Sequence, residues 1–323
     1  MSSEITLKAT EMNKGFPNLE VFSNTLQSLA ALDKDIIVVT SDSRGSGKLV
    51  PFGQKFPKQI VEVGIAEQNL VGIAAGLASA GKKVFAVSPA CFLTARSFEQ
   101  VKNDVAYSDN PVKLIGISAG VSYGALGTTH HSLHDFAALR AVNNICILAP
   151  ADNFETEMAI RQAAESTHPV YIRFGKKAMP NVSENKDFEL GKGRLIREGK
   201  AAVIIATGET VFPSLQAAIY LEKKYGLEVG VVSMHTIKPL DEKLLTDLSK
   251  EYPIILTVEE HMVNGGLGEA CAAFLFQNRA NVKFKIMGIP DEYTVTGSQL
   301  EIFNHYGISE QGIAAEILHM IKS

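Results

Sequence analysis

Three short segments of the sequence carry side chains that could do acid–base chemistry or bind a ligand. In the first, Glu67 opens the stretch Glu67–Ala80, whose small and apolar residues predict a helix. An acid in the first turn is stabilised by the helix dipole, and this effect alone could account for Glu67. A buried carboxylate at this place could instead hold and release a proton. The residue pattern leaves both interpretations open.

The second segment, Gly124–Asp135, holds His130, His131 and His134, three of the eight histidines of the chain. Imidazole titrates near neutral pH and therefore suits proton transfers to and from oxygen. The same spacing could begin a zinc site, but no cysteine or second histidine pair lies near it in sequence. We therefore predict no metal ligand in this chain.

The third segment, Ser88–Gln100, places Phe92 and Phe98 on either side of Arg96. Both rings could belong to a hydrophobic core, which is the usual location of phenylalanine. They could equally offer flat faces to a heteroaromatic ligand. Arg96 could form a surface salt bridge or bind a substrate anion, and the sequence does not decide between the two.

These segments follow short apolar runs that alternate with helical patterns. The runs are apolar at consecutive positions, as in parallel strands buried on both faces. The predicted strands are Ile36–Thr40, Lys83–Ser88, Val112–Ser118, Cys146–Ala149, Val170–Phe174, Ala202–Thr207, Val229–Ser233 and Ile254–Val258. The predicted helices are Glu67–Ala80, Phe98–Ser108, Asn153–Ser166, Pro213–Tyr225 and Asp241–Lys250. This order predicts an α/β protein with two doubly wound domains and mainly parallel sheets, in which ligands bind beyond the carboxyl ends of the strands.

The length of 323 residues favours two domains. A polar stretch at 176–192, rich in turn-forming residues, predicts a linker between a first domain at 1–185 and a second at 190–323. The net charge of −4 and the lack of a basic run argue against nucleic acid and anionic membranes as partners. We see no signal peptide and no apolar stretch long enough to cross a membrane, and we predict a cytoplasmic protein.

The sequence resembles the transketolase family over nearly its whole length. The matching fragments are VEVGIAEQNLVGIAAGLA from Val61, DSRGSGK, CFLTARSFEQ, GTTHHSLHD, ILAPADNFE and TVEEHMVNGGLGEA. This resemblance implies a pyrimidine-binding domain for thiamine diphosphate, followed by a transketolase C-terminal domain. It implies that Glu67 hydrogen-bonds N1′ of the cofactor's aminopyrimidine, which assists removal of the proton from thiazolium C2. Phe92 and Phe98 would pack against the aminopyrimidine ring.

The resemblance also implies substrate contacts. His130 matches the family histidine that contacts substrate oxygens, His131 replaces a glutamine beside it, and His134 would be structural. The implied substrate-binding residues are Arg96, His130, His131, Arg173 and Lys176. The chain departs from many transketolases where Ser118 and Ala119 replace a second histidine and Leu126 replaces an acid, so its sugar could be unusual.

The Gly-Asp-Gly motif with which the family binds the diphosphate and its divalent cation does not occur in this sequence. Family members that hold both halves in one chain are about twice this length. The resemblance therefore implies an N-terminal transketolase subunit as partner, which would hold Mg²⁺ or Ca²⁺, in an α2β2 heterotetramer. The implied reaction transfers a two-carbon ketol unit from a phosphorylated or otherwise acid-bearing ketose to an aldose.

Three alternatives remain at this point. The histidine-led loop is closer to transketolases than to the β subunits of 2-oxo acid dehydrogenases. Deoxyxylulose-phosphate synthases usually keep both halves in one chain. A regulatory homologue without catalysis would not need Glu67, Phe92 and His130 together.

Overall fold

The computed structural model describes residues 15–184 and 187–323 and contains two mainly parallel sheets flanked by helices. The strands are β1 (Ile36–Thr40), β2 (Ile60–Glu62), β3 (Lys83–Pro89), β4 (Lys113–Ile117), β5 (Cys146–Leu148), β6 (Val170–Phe174), β7 (Arg194–Arg197), β8 (Ala202–Ala206), β9 (Val229–Ser233), β10 (Thr236–Lys238), β11 (Ile254–Met262) and β12 (Lys283–Ile289). The helices are α1 (Asn18–Leu32), α2 (Val50–Lys55), α3 (Glu67–Ser79), α4 (Ala90–Ala95), α5 (Phe98–Gln100), α6 (Asp135–Arg140), α7 (Asn153–Glu165), α8 (Val211–Tyr225), α9 (Glu242–Glu251), α10 (Leu267–Gln277), α11 (Gln299–His305) and α12 (Glu310–Lys322).

The first sheet has the order β10-β5-β6-β4-β3-β1-β2, and the second has the order β12-β11-β8-β9-β7. Every pairing is parallel except those of β10 with β5 and of β7 with β9. The predicted fold class is therefore confirmed. All eight predicted strands are present, although β11 continues to Met262. Their residues are buried on both faces, as in the fully buried run of β8.

The strands that the sequence did not reveal are β2, β7, β10 and β12. They are short, antiparallel or half-exposed, so they lack a continuous apolar run. β12, for example, places exposed or half-buried side chains at six of its seven positions. Such strands form because they pair with a neighbouring strand, and this pairing cannot be predicted from the local sequence pattern.

Helix boundaries follow local signals. Asp152 caps α7 by accepting a hydrogen bond from the amide of Glu155, and α8 ends at Gly226 in the left-handed conformation. The predicted helix at 98–108 differs from the structure, because only Phe98–Gln100 is α-helical and Val101–Tyr107 forms a π-helix.

The two halves of the chain are joined by more than a linker. β10 lies in the second half of the sequence but pairs with β5 at the edge of the first sheet. The amide of Ala149 also donates to the carbonyl of His235 at 2.8 Å. One hydrophobic cluster contains Val39 and Leu114 from the first sheet and Ile205 from the second. The domain limits 1–185 and 190–323 stay a prediction, since residues 1–14 and 185–186 lie outside the described part.

The carboxyl ends of β2, β3, β4 and β6 lie at the same edge of the first sheet, because these strands are all parallel to β1 or to one another. The chain leaves them toward Glu67, Phe92, His130 and Lys176, respectively. The fold thus gathers at one edge the segments that the sequence singled out.

Candidate active site

Glu67 is the first residue of α3, and only 4% of it is exposed. The chain reaches it from β2 through Gly64, whose φ of +71° permits a tight turn before the helix. Its carboxylate accepts two hydrogen bonds from Nη1 of Arg96, at 3.0 Å to Oε1 and 3.1 Å to Oε2. The predicted proton-handling acid is therefore buried and paired with a cation.

Phe92 and Arg96 are carried by α4 and the residue after it, directly beyond β3. The central carbon of the Arg96 guanidinium lies 4.0 Å from the centre of the Phe92 ring, a cation–π contact. Phe92 is half-buried, whereas the Arg96 side chain is 49% exposed. A planar group rich in hydrogen-bond donors thus lies against both an aromatic face and a buried carboxylate.

His130 extends this group. Its ring meets the ring of Phe92 edge-on, with centroids 5.3 Å apart. Its Nδ1 lies 3.0 Å from the hydroxyl of Thr129, which fixes the orientation of the imidazole. The structure therefore brings Glu67, Arg96, Phe92 and His130 into one contiguous cluster, although 63 positions of sequence separate the first from the last.

Tyr123 and Lys176 extend the cluster beyond His130. The Tyr123 ring meets the His130 ring edge-on at 5.3 Å, and Nζ of Lys176 lies 3.9 Å from the centre of the Tyr123 ring. Burial raises the pKa of the Tyr123 phenol and lowers the pKa of the Lys176 ammonium. Sequence reasoning missed Tyr123. The available signal was an aromatic residue in the glycine-rich loop after a parallel strand, where ligands of such sheets bind.

The other two histidines of the loop lie in different surroundings from His130. His131 is buried, its Nδ1 pairs with Thr294 at 2.7 Å, and its Nε2 pairs with the carbonyl of Gly124 at 2.9 Å. Burial also lowers its pKa. Both ring nitrogens of His131 are engaged within the protein, so His131 holds the loop, and its predicted substrate contact stays a prediction. His134, predicted to be structural, is exposed at the start of α6 and lies 3.4 Å from the Thr94 hydroxyl.

Arg173, for which substrate binding is predicted, is engaged by partners within the protein. It is buried, and its guanidinium bonds Asp135 at 2.7 Å and the carbonyl of Glu260 at 2.7 Å. Burial alone would raise the pKa of Asp135, but Arg173, His261 and the Tyr171 hydroxyl together outweigh this effect and hold that pKa below its usual value. Arg173 therefore ties the first domain to β11, and exposed Lys176 is the better candidate for an anion contact.

Phe98 packs, half-buried, against the hydrophobic core that the two domains share. Its part in cofactor binding stays a prediction, as do the cofactor and substrate contacts of the other residues.

Acidic residues of the second domain hold the loop that carries Tyr123 and His130. No local sequence pattern predicted this contact. Oε1 of Glu260 accepts a hydrogen bond from the amide of Val121 at 2.9 Å and another from Gln299 at 2.8 Å. Gln299 also donates to Glu209 at 2.8 Å. Burial, followed by the neighbouring Glu209, raises the pKa of Glu260 to about 8. This buried cluster therefore fixes the loop at Val121.

Within residues 15–184 and 187–323, no group of three or more His, Cys, Asp or Glu side chains could hold a metal ion. In the same part of the chain, no helix is long and apolar enough to span a membrane.

Comparison with known proteins decides the family. A family model described as transketolase, pyrimidine binding domain, matches residues 15–181, and a second described as transketolase, C-terminal domain, matches residues 191–313. The chain belongs to the transketolase family.

Within that family, the chain is 48% identical to a subunit of the apulose-4-phosphate transketolase of Phocaeicola vulgatus, over 93% of this chain and 96% of that protein. A solved structure described as a split gene transketolase, inactive beta4 tetramer, matches with a TM-score of 0.85 and 33% identity, over 95% of this chain and 99% of that one. The 1-deoxy-D-xylulose-5-phosphate synthase of Syntrophus aciditrophicus is 35% identical, but the match spans 47% of its length. The chain is thus a transketolase-type enzyme subunit, homologous to split transketolase subunits over almost its whole length.

Proposed function

We propose that this chain is the C-terminal subunit of a split, thiamine-diphosphate-dependent transketolase. It would transfer a two-carbon ketol unit from a ketose to an aldose acceptor, in the cytoplasm and as part of an α2β2 heterotetramer. The observation that carries the proposal is the position of Arg96, whose guanidinium lies against both Glu67 and Phe92.

The residues present fit the aminopyrimidine of the cofactor. That ring is planar, and it needs an acid at one edge and an apolar face beside it. The guanidinium of Arg96 is also planar and donates hydrogen bonds. In the free chain it contacts both the Glu67 carboxylate and the Phe92 ring, the two groups that the aminopyrimidine would need. Because half of its side chain is exposed, Arg96 can turn toward solvent and release both surfaces.

Each residue of the cluster then has a role that follows from its surroundings. Thiamine diphosphate, when bound, supplies the chemistry that carries the ketol unit. Glu67 would hold a proton at N1′ of the aminopyrimidine, and Phe92 would orient its ring. His130, steadied by Thr129, would give and take protons at the carbonyl and hydroxyl oxygens of the sugar.

The donor in this proposal is a phosphorylated ketose. The relative from Phocaeicola vulgatus is named for apulose 4-phosphate, and it shares nearly half of its residues with this chain. Lys176 is exposed at the carboxyl end of β6 and would offer its ammonium to the phosphate.

The diphosphate and its Mg²⁺ would be held by a separate N-terminal subunit. The observation that supports this division is that the sequence lacks the family's Gly-Asp-Gly motif. The related split transketolase described as an inactive beta4 tetramer further supports the need for a second kind of subunit.

The test is reconstitution of this chain with its N-terminal subunit, thiamine diphosphate and Mg²⁺. We expect ketol transfer from ketose phosphates by the pair, and no transfer by either subunit alone. Full turnover by this chain alone would contradict the divided site. Decarboxylation of pyruvate with condensation onto an aldehyde, in place of ketol transfer, would point to synthase chemistry.

A further inference from the structure

The loop at 118–131 holds side chains that the proposed function does not yet use. It leaves β4 at Ser118, a non-glycine residue with a φ of +55°, and passes Gly120 and Gly124 in left-handed conformations. Such a conformation is costly for serine and persists only where the surroundings enforce it. The loop is therefore built to a fixed shape.

Two contacts with the second domain enforce that shape on either side of Tyr123. The amide of Val121 is held by Glu260 at 2.9 Å. At Gly124 an added Cβ would lie 2.6 Å from the carbonyl of Gly297, so the backbones touch there. Farther along, Thr294 bonds the hydroxyl of Thr128 and the imidazole of His131. Tyr123 is thus fixed in position between two clamped points.

The fixed ring of Tyr123 contacts two reactive groups. The His130 ring is steeply inclined to it, with centroids 5.3 Å apart, and the ammonium of Lys176 lies over its face at 3.9 Å from the ring centre. Because both distances are measured to the same ring centre, the imidazole and the ammonium lie less than one nanometre apart. That separation suits a short sugar whose carbonyl faces His130 while its terminal anion faces Lys176.

Ser118 gives the Tyr123 side chain a further contact. Ser118 is fully buried. Its hydrogen bond with the Tyr123 phenol lowers the pKa of that phenol, and burial has the larger, opposite effect. The polar end of the Tyr123 side chain is therefore held as well as its backbone.

We propose that Tyr123 is a specificity-determining residue that fixes the ammonium of Lys176 relative to His130 and so selects short ketoses with a terminal phosphate. Tyr123 acts through Lys176 by the cation–π contact, and it is therefore a positioning residue for the phosphate. This inference rests on the proposed transketolase function, which it deepens by naming how the anionic end of the substrate is recognised.

The experiment compares Tyr123→Leu, Lys176→Ala and the double variant in the reconstituted enzyme, with erythrulose 4-phosphate and erythrulose as donors. A cation–π contact of ordinary strength predicts that Tyr123→Leu raises KM for the phosphorylated donor about tenfold more than it raises KM for erythrulose. Because Tyr123 also contacts His130, any change of kcat should be the same for both donors. The double variant should be no worse than Lys176→Ala, because both remove one shared interaction.

Tyr225→Leu is a matched control, since Lys224 lies 5.4 Å from the Tyr225 ring on an exposed helix end far along the chain. Tyr123→Phe keeps the ring and should keep the preference for phosphate. Thermal unfolding of each variant shows whether the fold survives. Equal effects of Tyr123→Leu on both donors, or additive effects in the double variant, would overturn the proposal.

A binding measurement separates this proposal from the proposed function. Calorimetric titration of erythrulose 4-phosphate into the reconstituted complex does not depend on turnover. About tenfold weaker binding to Tyr123→Leu supports the role of Tyr123 even if the wild-type complex transfers no ketol unit. Unchanged binding refutes that role even if the complex is an active transketolase.

Discussion

The guanidinium of Arg96 lies 3.0 Å from the carboxylate of Glu67, so an exposed cation covers a buried acid. Removal of the cation from such a pair exposes the acid to a new partner, whereas removal of the acid destroys the chemistry assigned to it. Substitutions of Arg96 and of Glu67 should therefore have opposite effects on the function of the site.

We predict that Arg96→Met strengthens thiamine diphosphate binding to the reconstituted complex by about tenfold, because the cofactor no longer displaces a charge-assisted hydrogen bond. Calorimetric titration without sugar measures this effect. Arg161→Met, which removes an exposed ion pair with Glu157 on α7, is the control and should change nothing. Unaltered affinity in Arg96→Met would mean that the guanidinium does not occupy the cofactor's place.

Glu67→Gln should lower kcat by about 10²–10⁴-fold while the protein stays folded, since a positioned acid–base group typically contributes that much. Cofactor affinity should fall less than the rate, because the diphosphate is held by the other subunit. Steady-state kinetics and circular dichroism give the two readouts. Glu99→Gln, which alters an acid on the neighbouring α5, is the control and should behave as wild type. Near-normal turnover in Glu67→Gln would show that Glu67 only stabilises the start of its helix.

Alanine substitutions of the three histidines in this loop should affect different quantities. His130→Ala should reduce kcat by two orders of magnitude or more, as expected for a group that moves protons at the substrate. His131→Ala should lower the free energy of unfolding by about 1–3 kcal/mol, because two buried hydrogen bonds are lost. His134→Ala should have the smallest effect on both quantities. Steady-state kinetics and denaturant titration of each variant measure these effects. If His134→Ala lowers kcat more than the other two substitutions, the proton-transfer role was assigned to the wrong histidine.

Much of this arrangement could be predicted from sequence, because it depends on local patterns. Buried parallel strands need continuous apolar runs, and His130 lies in the loop after one of them, β4. Glu67 is indicated by the helix of small and apolar residues that it opens. The position of Arg96 could not be decided, since its partner Glu67 lies 29 residues away and only the fold brings them together. The same holds for His131 and Arg173, whose partners Thr294 and Glu260 belong to the second domain.

Stability should depend on pH through the buried acid cluster under the loop. Burial raises the pKa of Glu260 from 4.5 to about 8, so the folded protein retains a proton that the unfolded chain has released. The free energy of unfolding should therefore fall as the pH rises between these two values and level off above them. Glu209 lies in the same cluster, and burial raises its pKa too. Burial also raises the pKa of Glu259, which accepts hydrogen bonds from the first amides of α10, so both acids add to the slope.

Denaturant titrations at pH 5.5 and 8.5 measure this effect, and Glu260→Gln should flatten the dependence. Glu228→Gln, which alters an exposed pair with Lys200, is the matched control. A wild-type protein that becomes more stable over this interval would contradict the prediction.

The pairing of β10 with β5 bears on how the polypeptide acquires its shape as it is made. Synthesis proceeds from the amino terminus, so β5 leaves the ribosome about ninety residues before the strand that completes its sheet. Until then the edge of β5 carries unpaired amide and carbonyl groups, which are prone to join other chains. The amino-terminal half therefore cannot complete its sheet by itself, and the molecule acquires its final first sheet only after β10, in the second half of the sequence, has been translated.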